Sequence, residues 1–175
     1  MILRRLWPMV LSLVLMVYLN SCAVPQKMWP QKDIAKSVVA GTPNAPNILL
    51  ASRSSEFKVA LVDKLSSMMA SEGIRLQIVG IEELKTTQID HYDVIVIIST
   101  CLAWGFDAEV QSFIEQHPRH DKMIFVTTSA AGDWMPEKEE RRYDAVSSAS
   151  ALANVDAVAR NIMSSVHWAF RNLTP

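Results

Sequence analysis

The chain has 175 residues, half of them hydrophobic, with 17 basic against 18 acidic residues. That length suits one domain with its own core. The near-balance of charge, with no basic stripe or polycationic run, excludes the electrostatic footprint of a nucleic-acid binder.

Residues 1–21 come first. Arg4 and Arg5 precede an apolar stretch from Leu6 to Leu19, and Leu19-Asn20-Ser21-Cys22 follows. This is the layout of an export signal, and its 14 residues fall short of the roughly 20 that a spanning helix needs. Leu19, Asn20, Ser21 and Cys22 resemble a bacterial lipoprotein signal, with a branched apolar residue three before the cysteine and a small one just before it. The resemblance implies lipidation of Cys22 and a membrane-anchored chain facing the periplasm or cell surface, since two or more acyl chains anchor stably. A plain secretory signal, or an uncleaved anchor with Cys22 as an ordinary thiol, is the alternative. Without residues 1–21 the formal charge is −3 and Cys101 is the one unmodified thiol, so no internal disulfide is expected.

Residues 22–46 carry four prolines and few periodic apolar positions, which predicts an extended tether with little regular structure. The domain proper is expected over 47–172. Asn47–Ala51 reads as a buried strand, followed by Phe57, Leu61, Leu65 and Met68 at helical spacing. Arg75–Val79 is the second strand, and the IEEL segment after it a short helix or loop. Tyr92–Ser99 is the most apolar strand, its β-branched run implying burial on both faces. Val110, Phe113 and Ile114 mark a helix ending near His117 and Pro118. Lys122–Thr128 is the fourth strand and Tyr143–Ser148 a weaker fifth. Asn154 suits the cap of a last helix with Val155, Val158, Ile162 and Val166 on one face. Five strands alternating with helices predict an α/β fold, a parallel sheet covered on both faces.

Ligands of such sheets bind outside the carboxyl ends of the strands, where strand order reverses. Three loops qualify. After the first strand, Ser52, Ser54 and Ser55 offer hydroxyls and backbone N–H groups at a helix start, with Arg53 as a charge-assisted donor; this suits a phosphate, and the serines equally suit plain N-capping. After the third, Thr100, Trp104 and Gly105 suit stacking on a flat ring, or an indole packed over the strand ends beside a turn. After the fourth, Thr128, Gly132 and Trp134 suit the grip of a ring edge or another turn.

Residues 47–170 resemble a flavodoxin-like domain. The resemblance rests on His91–Gly105, similar to that family's third strand and aromatic-glycine flavin loop, and on Lys122–Trp134, similar to its fourth strand and following loop. It implies a three-layer α/β/α sandwich with sheet order 2-1-3-4-5. It also implies flavin mononucleotide (FMN), the phosphate in the first loop and the ring between the other two. A flavodoxin phosphate loop reads hydroxyl, any residue, then Thr-Gly-Asn-Thr; Ser52 and Ser54 match, while Ser55, Glu56 and Phe57 stand at the last three places. Two functions follow as expectations: an FMN-binding electron-transfer or reductase domain with a redox partner, or a cofactor-free binding or scaffold domain at the membrane surface.

Other groups carry less. His117, His120 and Asp121 are too few for a metal site and suit a solvated helix end, so no metal is expected. Ser52 and Ser129 lack the G-x-S-x-G elbow of a hydrolase. Cys101 reads as a small packing residue or a redox-active thiol, and packing is the simpler of the two. The run Pro136–Arg142 suits a solvated surface.

Overall fold

A computed structural model describes residues 31–101, 107–117, 121–129, 132 and 144–173. The strands are β1 (Ser37–Val39), β2 (Asn47–Ser52), β3 (Arg75–Gly80), β4 (Val94–Thr100), β5 (Met123–Ser129) and β6 (Asp144–Ala149). The helices are α1 (Glu56–Ser71), α2 (Ala108–Gln116) and α3 (Val155–Leu173), with 3-10 turns at Ile81–Thr86, Ile89–His91 and Leu152–Asn154. The IEEL segment is thus a 3-10 turn that starts directly where β3 stops.

The six strands form one sheet in the order β1-β3-β2-β4-β5-β6. β2 to β6 pair in parallel and, taken without β1, follow the order that the resemblance implies; the whole sheet differs from it in strand number and order. The sheet nevertheless has six strands and not five. β1 lies within the segment read as a tether and pairs antiparallel with β3, Ser37 opposite Ile78 and Val39 opposite Leu76. Three residues among prolines give no periodic signal; their pairing is set by the exposed edge of β3.

Two apolar layers sandwich the sheet. On one face, Ile48, Leu50, Leu76, Ile78, Val96 and Ile98 meet α1 and α3. On the other, Leu49, Ala51, Ile95, Ile97 and Phe125 meet α2 and the turn at Ile81–Thr86. Alternate residues of one strand therefore serve opposite layers, which is why β4 is apolar from Val94 to Ile98, all fully buried. The helix faces follow the predicted spacing with one shift. In α1, Phe57, Leu61 and Leu65 are buried, but Met69 completes the row, and Lys58 joins the buried side. In α3, Val158, Ile162 and Val166 are buried as expected, while Asn154 donates its side-chain amide to the Ala149 carbonyl. Among the described residues no helix is long and apolar enough to cross a membrane.

Candidate functional site

The parallel strands β2 and β4 end side by side, and the first loop leaves β2 at Ser52. Residues 31–34 run across this loop. Ser54 N–H donates to the Lys32 carbonyl at 2.6 Å, Ile34 N–H to the Ser52 carbonyl at 3.2 Å, and Asp33 and Arg53 form an antiparallel bridge. The arm that precedes β1 thus takes up backbone groups of the loop.

Arg53 is the centre of the site and is 6% exposed. Its Nε and Nη2 donate to both carboxylate oxygens of Asp107 at 2.9 and 3.2 Å, a bidentate fork. Its Nη1 donates to Asp33 at 2.8 Å and to the exposed Glu82 at 3.5 Å. Burial works against the guanidinium's charge, but Asp107 and Asp33 outweigh it and hold its pKa above the ordinary value. Asp107 serves twice, since it also caps α2 by accepting from Glu109 N–H at 2.9 Å. The second oxygen of Asp33 accepts from Glu82 N–H at 3.0 Å. Gly80 makes room for it: a Cβ there would stand 2.3 to 2.6 Å from the Asp33 side chain.

Lys58 lies in the first turn of α1 and is 2% exposed. Its ammonium donates to Thr100 Oγ1, which donates in turn to Gln31 Oε1 at 3.1 Å. Burial pushes the Lys58 pKa down to about 8; Asp107 opposes the shift and Arg53 adds to it.

The residues expected to bind a cofactor are therefore only partly brought together. Ser52, Arg53, Ser54 and Thr100 converge. Ser52 donates its hydroxyl to the Arg53 carbonyl at 2.8 Å, and Ser55 is the N-cap of α1, accepting from Lys58 N–H at 3.2 Å. Thr128, on the neighbouring strand, is fully buried and donates to the Ser99 carbonyl at 3.1 Å. Gly132 sits against β6 with φ +78°, its N–H bound to Ser129 Oγ at 2.7 Å and its carbonyl to Ser147 Oγ at 2.9 Å. Trp104, Gly105, Trp134, Cys22 and His120 lie outside the described residues. Among the described residues no three His, Cys, Asp or Glu side chains converge as metal ligands.

The sequence reading missed Gln31, Asp33, Lys58 and Asp107. Lys58 alone had a local signal, since 58, 61, 65 and 69 continue one helical row. Part of the donor set expected for a flavin phosphate is engaged by the protein itself. Three donors of Arg53 face protein carboxylates, and Ser54 N–H and the Ser52 hydroxyl face protein carbonyls. No protein-family model matches the chain, and no curated protein matches it in sequence.

Proposed function

We infer that this chain is an exported, lipid-anchored, flavodoxin-like domain that acts as a cofactor-free binding domain at a membrane surface. One observation carries the reading against an FMN-dependent electron carrier: residues 31–34 cross the first loop and engage the Ser54 N–H and the Arg53 guanidinium, two of the donors expected for a flavin phosphate. Support for the flavodoxin-like part comes from the relative order of the five parallel strands and from the helices on both faces. The export signal and Cys22 supply the anchoring part.

In this reading the strand ends are a structural lock. Arg53 ties the arm, β2 and the start of α2 together through Asp33 and Asp107, and Thr100 joins Lys58 to Gln31. Charged groups paired in this way orient the elements they join. The test is a titration of purified residues 23–175 with FMN, followed by flavin absorbance and fluorescence. No saturable binding is expected. Saturable binding with quenched fluorescence overturns the reading and restores the electron carrier.

A further inference from the structure

A second feature lies at the β1 edge of the sheet. Among the described strands β1 pairs with β3 alone, so its outer side is open. Between β1 and α1 runs a groove of about 620 Å³. Its helix wall is the row Val59, Val62, Asp63 and Ser66, one face of α1 by spacing, and Ile34 and Val39 stand on the strand wall. Val59 is 39% exposed on the helix wall, and Val38, opposite Gln77, is 65% exposed on the other face of β1.

The charge of the groove is one-sided. Its lining includes Asp33 and Asp63 and no basic residue. Asp33 is committed to Arg53, whereas Asp63 makes no ion pair among the described residues; its neighbour Lys64 is paired with Asp156. An open strand edge offers main-chain pairing; alternate side chains of an added strand would meet Asp63 on the α1 face, which selects a cation, and Val38 on the other face, which selects an apolar residue.

We propose that β1 and this groove receive an extended segment of a partner protein, with alternating apolar and basic residues, added to the sheet as a further strand. The proposal deepens the binding-domain reading and rests on it for the premise that the domain works by holding a partner. The groove shares Asp33 with the strand-end lock, but its apolar walls and Asp63 lie on another part of the surface.

The probe is a fluorescently labelled eight-residue peptide alternating valine and lysine, titrated into residues 23–175 and read by anisotropy. Saturable binding is expected. It should weaken by about tenfold when alternate peptide amides are N-methylated, when glutamate replaces lysine in the peptide, or when the protein carries Asp63→Lys. Asp63 is exposed, so the variant keeps its fold, which circular dichroism verifies. No saturable binding overturns the proposal. So does binding that N-methylation or Asp63→Lys leaves unchanged, which would mark mere charge attraction or another face. FMN titrated into the same sample separates the two failures, because flavin binding sinks the cofactor-free reading while the peptide arms judge the groove.

Discussion

Lys58 shows how one side chain ties local pattern to electrostatics. It falls on the buried row of α1, so its ammonium leaves water and has one hydrogen bond, to Thr100, among the described residues. Its pKa in the fold is about 8, against an ordinary 10.5. Between those values the unfolded chain binds the proton that the folded chain has released, so stability rises with pH across that window and is flat in this respect below it. Lys58→Met should therefore be more stable than the parent at pH 7, with the difference closing by an amount on the order of 3 kcal/mol as pH is raised to about 10.5. Urea unfolding of both proteins across that range checks this; a pH-independent difference would show that the ammonium is not buried. Arg53 obeys the opposite logic, because its partners keep it charged and removing one leaves an uncompensated buried ion. The sequence marked Arg53 as an anion contact but could not show which anions. Its partners stand 20 residues before it and 54 after it, joined only by the packing of the sheet.

At the level of elements, the arm and β1 are held by few but specific contacts. Asp33 links Arg53 to Glu82 N–H, and Gly80 at the end of β3 leaves space for its carboxylate. Gly80→Ala places a methyl group within 2.6 Å of three Asp33 side-chain atoms, so the arm must shift. A loss of about 1–3 kcal/mol is expected, together with faster hydrogen exchange at Ser54. In an Asp33→Gly background those three atoms are gone and the penalty of Gly80→Ala should largely vanish, which a double-mutant cycle measures. An undiminished penalty would place the strain elsewhere. The elements differ in how plainly the chain announces them. β2, β4 and β5 are legible because β-branched and apolar runs flanked by turn residues have few other uses. β1 is not, since Ser37–Val39 is too short for any period and becomes a strand only by meeting the edge of β3.

For the molecule as a whole, the alternation of elements was enough to give a parallel sheet covered on both faces, the resemblance supplied the order of the parallel strands but not the added β1, and the lock across the strand ends depended on contacts between distant residues. The anchoring reading is tested at this scale. Cys22→Ser should move the chain from the membrane fraction to the soluble fraction, and fractionation with and without detergent measures it; an unchanged distribution would reject the lipid anchor. The arm also sets a mechanical order of failure. The chain enters the domain through Gln31 and Asp33, continues through three residues of β1, and only then reaches the buried strand β2. A pull from the N-terminal side therefore acts first on the contacts of Gln31, Lys32 and Asp33 and then on the β1–β3 pairing. Their release frees residues 31–46, up to roughly 50 Å of extended chain, before tension reaches the core. The domain thus carries its own extensible leash, folded away against the sheet until force draws it out.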